Sequence, residues 1–391
     1  MKSQPLRVLE LRTVRGTGGG PDKTILLGTA RTDAAKYQVT ICYVRDARDK
    51  VFNIDERART LPVSYVEVIE RHSFDWRIWP ALRRIVRERE IDIIHGHDYK
   101  TNLLALLLAR AEGIIAVSTA HGWVGKGQRE LRYYFPFDRW QQRFFAHVVA
   151  VSGDIRDAIV ARGADPARVS VVLNGVEPDR FKRDPGLEEQ ARRTFGLSTN
   201  SVAIGSVGRL EPEKNFAMLL RAFARIRAEH PAAVLLVAGD GSLRTALQQQ
   251  THALGLSAGD VRWLGLIDNV PLLHHALNLY VQSSDEEGTA NAVLEAMALE
   301  TPIVATDVGG TAEVARHRQE ALLVRRGDEG GLVQAMREVI AQPAEARGRA
   351  RAARARVETE LSFESRTRRI EAVYDAVAAG TAAGRPARSH A

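Results

Sequence analysis

The feature that most restricts the fold is a repeated alternation. Short runs rich in Val, Ile and Leu are followed by longer stretches with helical spacing. The runs fall at 6–10, 38–44, 92–95, 114–119, 148–152 and 170–173, and a second series follows at 202–207, 234–238, 261–264, 279–281, 303–305 and 321–324. Runs this short and apolar suit strands buried on both faces, and the helices between them supply the crossovers that parallel strands require. Two series in succession predict an α/β protein with two Rossmann-like, doubly wound domains facing a cleft. The break between the series, NGVEPDRFKRDPG at 174–186, has two prolines, two glycines and no apolar periodicity, and reads as the connection. The expected divisions are 1–176, 177–365, a helix at 366–380 returning to the first domain, and a disordered tail at 381–391.

Composition narrows the class. At 391 residues, with 45% hydrophobic and 26% charged, the chain is that of a globular protein. The formal charge of +7 and a pI near 9.7 invite a polyanionic partner. The surplus is uneven, however: residues 1–182 carry an excess of eight positive charges and 183–391 one net negative charge. No nucleic-acid-binding module is recognisable, so no nucleic-acid partner is expected. Five arginines between Arg347 and Arg356 read as a solvated helix face. The single cysteine, Cys42, excludes an internal disulfide framework and reads as a core residue. The first residues have no apolar segment of signal-peptide length, and Leu103–Ala109 is too short to span a bilayer. The expected location is cytoplasmic, peripheral at the inner face of the membrane.

The most informative segment is SSDEEGTANAVLEAMALETPIVATDVGGTAEV, residues 283–314. A helix beginning near Thr289, Ala290 and Asn291 would present free backbone N–H groups and a positive dipole end to a phosphate. Glu287 would stand in the loop at its mouth and Glu295 about a turn inside. Carboxylates there suit sugar hydroxyls, which donate to them, and repel phosphate. A second segment, SVGRLEPEKNFAMLLRAF at 206–223, places Arg209 and Lys214 after a strand, where such domains bind ligands. Fixed cations there would stabilise a pyrophosphate leaving group as its charge develops. The bland alternative is a loop in which these cations pair with Glu211 and Glu213.

In the first half, RGTGGGPDKTILLGTA at 15–30 follows the first strand, with Gly18, Gly19 and Gly20 allowing close approach of a ligand and a helix beginning near Asp22. His121, in STAHGW, ends another strand and would face the same cleft. His95, His97 and Asp98 end the strand before it; Asp98 is a candidate acceptor or sugar contact. Metal ligation by the two histidines is not expected, because no third ligand is spaced for it.

Taken together, VVLNGVEPDRF, VGRLEPEKNF, VAGDGSLRTALQQQ, WLGLIDNVPLL, EEGTANAVLEAMA and TPIVATDVGGTAEV resemble, in order, the retaining glycosyltransferases of the B fold, family four, the glycogen-synthase-like group. The resemblance implies an N-terminal acceptor-binding domain and a C-terminal nucleotide-sugar-binding domain. It implies that Arg209 and Lys214 hold the diphosphate of a UDP-, GDP- or ADP-sugar, that Glu287 with the backbone of Thr289, Ala290 and Asn291 contacts the transferred sugar, and that Glu295 holds the ribose. The nucleobase would lie along Gly265 to Val270, including Ile267. Gly19 and Gly20 would lie near the diphosphate and acceptor, and His121 near the transferred sugar. The implied reaction is hexosyl transfer with retention to a lipid-linked or polysaccharide-precursor glycan. No D-x-D motif occurs, so catalysis without a metal ion, and without a resident cofactor, is expected. The alternatives are a nucleotide-sugar epimerase on the same scaffold and a basic nucleic-acid-binding protein.

One segment stands apart. YYFPFDRWQQRFF, 133–145, places Tyr133, Phe137, Trp140 and Phe144 on one helical stripe flanked by Arg132, Arg139 and Arg143. That pattern reads either as a core helix or as one lying on an anionic membrane, the contact then running through 129–147.

Overall fold

The computed structural model describes residues 4–73, 75–123 and 130–382. The expected tail, from 383 onward, and residue 129 of the aromatic segment lie outside the described residues. Two compact units result, one from residues 4–174 with 363–382, the other Gly175–Ser362.

The first unit holds β1 (Leu6–Thr13), β2 (Tyr37–Asp46), β3 (Ser64–Glu70), β4 (Ile93–Gly96), β5 (Ile115–Ala120), β6 (His147–Ala150) and β7 (Val169–Val171). Its parallel sheet has the order β3-β2-β1-β4-β5-β6-β7. The second holds β8 (Val202–Val207), β9 (Ala233–Ala238), β10 (Val261–Gly265), β11 (Leu279–Gln282), β12 (Ile303–Asp307) and β13 (Leu322–Arg325), in the order β10-β9-β8-β11-β12-β13. Strand order reverses between β1 and β4, and again between β8 and β11. At such a switch point the loops leaving the two strands diverge and open a crevice at their carboxyl ends.

The apolar runs form the sheets because helices cover both faces. Leu9, Leu11, Ile94 and Ala116 pack on one side of the first sheet, and Val8, Ile93, Ile115 and Val117 on the other, the latter against Ile370, Val373 and Tyr374 of the final helix, Phe363–Ala382. Cys42 is buried in this core, and burial pushes its thiol up to about 12. In the second unit, Ile204, Leu235, Val237, Val281 and Val304 pack around Phe216, Leu219 and Phe223 of the helix Phe216–Glu229.

Two readings need correction. The strand β3, SYVEVIE, lies outside both expected series. As an edge strand it pairs only with β2 and exposes Ile69, so it alternates and lacks a continuous apolar run. The arginines of the helix Pro343–Glu360 are not all solvated: Arg349, Arg354 and Arg356 have side chains only 11–12% exposed. Arg354 donates to the carbonyls of Pro178, Phe181 and Ala298, and Arg356 to those of Glu313 and Val314. Ala298 and Val314 end the helices Asn291–Ala298 and Thr311–Val314, where cations meet unpaired carbonyls and the negative dipole end.

Candidate active site

In the second unit the loops leaving β8 and β11, the two strands at the switch point, carry the expected residues. Gly208 to Lys214 follow β8, and Asn215 caps the next helix by accepting from Met218 N. Ser283 to Ala290 follow β11 and lead into the helix Asn291–Ala298. Lys214 Nζ donates to Glu287 Oε1 at 2.5 Å, and Ser284 Oγ donates to the same oxygen at 2.7 Å. Both charged side chains are largely buried. Arg209 pairs with Glu213 at 2.6 Å and is otherwise exposed. Arg209 thus makes the Glu213 pair considered for it, whereas Lys214 reaches across to Glu287.

Two glycines explain how these loops come so close. A Cβ on Gly309, at φ +51°, would stand 1.8 Å from the Glu287 carbonyl oxygen, and Gly310 N donates to Gly288 O at 2.8 Å. The turn after β12 therefore props the Glu287 loop from behind. Gly239 does the same for Arg209: its Cβ would stand 1.9 Å from Gly208 O, while Leu210 N donates to Asp240 O at 2.9 Å. Asp285 N donates to Glu213 O at 2.8 Å, and Ser283 Oγ to Lys214 O at 3.0 Å, binding the two loops to each other.

Thr289 and Ala290 are buried at the mouth of the helix, with Asn291 and Glu295 partly buried behind them. Gly265 ends β10 at φ +68° and accepts from Gly239 N at 2.7 Å, with Ile267 partly buried two residues on. The unit thus gathers Arg209, Lys214, Glu287, the Thr289–Asn291 backbone and the Gly265 turn along the carboxyl edge of one sheet.

In the first unit the Gly-rich loop leads into a helix that starts at Gly20, two residues before the expected point. Asp22 is fully buried in its first turn. It accepts from Gly19 N at 2.7 Å, Arg12 Nε at 2.7 Å and Tyr43 Oη at 2.8 Å, fixing the loop that holds Gly19 and Gly20. Asp98 caps the helix Tyr99–Glu112, accepting from Lys100 N, Thr101 N and, across the switch point, Thr13 N. Its oxygens are engaged by backbone amides, which gives it a positioning role for the loops after β1 and β4.

His121, just beyond β5, meets His97 Nδ1 through its Nε2 at 3.1 Å. Burial, reinforced by His97 and Arg12 nearby, holds His121 well below the ordinary histidine range. His97 Nε2 bonds Glu10 Oε2, Tyr374 Oη donates to Glu10 Oε1 at 2.7 Å, and His95 joins Tyr374 and Thr119, each at 2.7 Å. Glu10 is the third group that linear spacing hid. The parallel register pairs Glu10 with His95, and the ligand-type atoms of Glu10, His95 and His97 lie within 4.8 Å of one another. Sequence reasoning missed Glu10 and Tyr374; the available signal was a lone carboxylate inside the apolar run of β1.

The aromatic segment forms a short helix, Phe135–Gln141, between a wide turn at Glu130–Tyr134 and a tight one at Gln142–Phe144. Tyr133, Phe137, Trp140 and Phe144 are all exposed, as are Leu103 and Leu107 of the helix Tyr99–Glu112, which neighbours Phe135–Gln141. Arg132 and Arg143 are exposed with them, while Arg139 lies over the Trp123 ring at 4.6 Å. The opposite face is anchored by buried Asp138, which accepts from Asn102, Trp123 and Gln141. No helix among the described residues is long and apolar enough to cross a membrane.

Comparison with known proteins agrees with the fold. Residues 188–356 match the family model of glycosyl transferases group 1, and residues 19–180 that of glycosyltransferase family 4. A glycogen synthase of Mycobacterium tuberculosis is 28% identical over 353 residues, 87% of this chain and 80% of that protein. The Escherichia coli UDP-Gal:alpha-D-GlcNAc-diphosphoundecaprenol alpha-1,3-galactosyltransferase is 24% identical over 66% of this chain and 68% of its own. Among solved structures, Anabaena HepE in complex with UDP and glucose superposes with a TM-score of 0.81 at 20% identity, covering 95% of this chain and all of that one. The two parallel sheets, their switch-point loops and these matches along both halves establish that the chain belongs to the group 1 glycosyltransferases and has their B fold.

Proposed function

We propose that the protein transfers a hexosyl group from a nucleoside-diphosphate sugar to a hydroxyl of a lipid-linked or polysaccharide-precursor glycan, with retention and without a metal ion. The observation that carries this reading is the Lys214–Glu287 pair at the switch point of the second unit, beside the N-terminus of the helix Asn291–Ala298. Lys214 and Arg209 take the diphosphate, Glu287 with the Thr289–Asn291 backbone takes sugar hydroxyls, Glu295 the ribose, and Gly265 with Ile267 the base. In the first unit, Gly19 and Gly20 lie against the diphosphate and acceptor, and His121 takes a sugar hydroxyl.

As the glycosidic bond breaks, negative charge grows on the leaving phosphate, so a cation fixed before the reaction stabilises the transition state more than the donor. Lys214 is fixed in this way, because Glu287 and the Ser283 contact hold its position. When a donor arrives, Lys214 exchanges its carboxylate partner for phosphate and Glu287 is freed for the sugar. The leaving phosphate then receives the acceptor's proton on the same face, which yields retention without an enzyme nucleophile. UDP in HepE and a UDP-Gal donor in the E. coli relative support a uridine nucleotide here.

The test is the Lys214→Ala variant with UDP-, GDP- and ADP-sugars. Loss of one fixed cation is expected to lower kcat by about 10²–10³-fold; turnover within a few-fold of wild type would exclude the role. An epimerised nucleotide sugar as the wild-type product would favour the epimerase alternative.

A second reading concerns location. The exposed Tyr133, Phe137, Trp140 and Phe144, with exposed Arg132 and Arg143 in the same segment and exposed Leu103 and Leu107 on the neighbouring helix, support peripheral contact with an anionic membrane. The diphosphoundecaprenol acceptor named for the E. coli relative supports it further. Cosedimentation with phosphatidylglycerol vesicles, lost in the Trp140→Ser variant, is the expected result; no cosedimentation of the wild type would refute it.

A further inference from the structure

The hydrogen-bond chain through Glu10, His97 and His121 has its proton positions fixed from one end. Burial opposes ionisation of Glu10, but His95 and His97 beside it outweigh this and hold the carboxyl well below the ordinary range. An ionised carboxylate only accepts, so both of its neighbours donate. Tyr374 Oη gives its proton to Oε1, and His97 Nε2 gives its proton to Oε2.

A neutral imidazole carries one N–H, and burial keeps His97 neutral, at about 4 despite the raising pull of Glu10. His97 Nδ1 is therefore a bare acceptor. It faces His121 Nε2 at 3.1 Å, which must donate. His121, itself held neutral, is left with a lone pair on Nδ1. That atom is buried and has no hydrogen-bond partner among the described residues. The other branch closes without conflict: with its proton spent on Glu10, Tyr374 Oη accepts from His95 Nδ1–H, and His95 Nε2 lies 2.7 Å from Thr119 Oγ1, a hydroxyl that can donate or accept.

We propose that Glu10 and His97, completed by Tyr374 of the final helix, are positioning residues that fix His121 as its Nε2–H tautomer, so that the Nδ1 lone pair accepts from a hydroxyl of the bound sugar. A phosphate or carboxylate oxygen at that point would set lone pair against lone pair, so the arrangement selects a neutral hydroxyl donor. The sugar as occupant rests on the function proposed above; the tautomer does not.

The experiment uses the full chain with 15N-labelled histidine and long-range 15N–1H correlation at pH 7, the His121 signals being identified by their absence in His121→Asn. His121 and His97 are expected as Nε2–H tautomers, and His95 with a proton on Nδ1. A His121 found as Nδ1–H or as imidazolium overturns the proposal. So does a stoichiometric metal found by elemental analysis to be lost in Glu10→Gln, because a ligated His97 Nε2 carries no proton. The histidine tautomers are read on the folded wild type, so that outcome holds even where Glu10→Gln folds poorly.

The Glu10→Gln variant no longer compels donation by His97. It is expected to show mixed His121 tautomers and a kcat lowered about tenfold, the value of one hydrogen bond, with UDP affinity by thermal shift unchanged. An unaltered His121 tautomer in that variant contradicts the relay. Absence of any glycosyl transfer by the wild type would instead refute the function, with the NMR result still deciding the tautomer.

Discussion

Replacing Gly309 by alanine tests how tightly the candidate site is built. Gly309 adopts φ +51°, a left-handed conformation that costs an L-residue about 1–2 kcal/mol. Its new Cβ would also lie 1.8 Å from the Glu287 carbonyl oxygen and 2.8 Å from the carbonyl carbon. Both are backbone atoms, so no rotamer change relieves the overlap, and strain of this kind adds about 1–3 kcal/mol. Restoring ordinary contact moves the Glu287 loop by more than about 1 Å, a displacement that can cost about 10²-fold in rate when it misplaces a reacting group. The expected result is a loss of about 2–5 kcal/mol in urea unfolding, together with a kcat about 10²-fold lower in enzyme that remains folded. UDP affinity should change less, because the Arg209 loop is propped separately through Gly239. Wild-type stability and turnover in Gly309→Ala would refute the buttress and, with it, the placement of Glu287 at the site.

Other perturbations separate scaffold from chemistry. Asp22→Ala leaves the Arg12 guanidinium buried without its carboxylate, and is expected to cost about 3–5 kcal/mol in urea unfolding; a change below measurement error would contradict the buried pair. Acid should weaken both units. Burial lowers His97 to about 4 against the pull of Glu10, and His274 to about 3 with Arg183 and His275 adding to the effect. The unfolded chain takes up these protons near the ordinary histidine value, 6.5, whereas the folded chain does not. The stabilisation is therefore complete above pH 6.5 and lost as pH falls through about 4 and about 3. Each group contributes a slope of up to about 1.4 kcal/mol per pH unit within that window. Urea midpoints that stay level between pH 7 and pH 5 would show that these histidines are not buried and neutral.

Most of the architecture is legible because the short apolar runs of central parallel strands alternate regularly with helical stretches; a run alone would not suffice, since Leu103–Ala109 is equally apolar and lies in the helix Tyr99–Glu112. The edge strand β3 leaves none: five of its seven residues are exposed or only partly buried. The arginines of the helix Pro343–Glu360 carry no linear mark of burial either, since carbonyl partners such as Ala298 O and Val314 O come from distant turns. At the candidate site, Lys214 and Glu287 are each recognisable from their own segments, but their contact spans 73 positions and follows only from the adjacency of β8 and β11. Glu10 shows the limit most clearly. Along the chain the carboxylate nearest His95 and His97 is Asp98, which accepts from backbone amides, whereas register between β1 and β4 puts Glu10 beside them.

The most direct test is to incubate the wild-type chain with UDP-sugars labelled at the anomeric carbon and a polyprenyl-diphosphate-linked glycan acceptor, and to follow the label by NMR. The label should leave the nucleotide, appear in the acceptor with its anomeric configuration unchanged, and do so in the presence of a metal chelator. A product of inverted configuration would contradict the retaining mechanism, and transfer abolished by chelation would contradict the role given to Arg209 and Lys214. Label that stays on the nucleotide throughout, intact or epimerised, across UDP-, GDP- and ADP-sugars, would contradict glycosyl transfer itself.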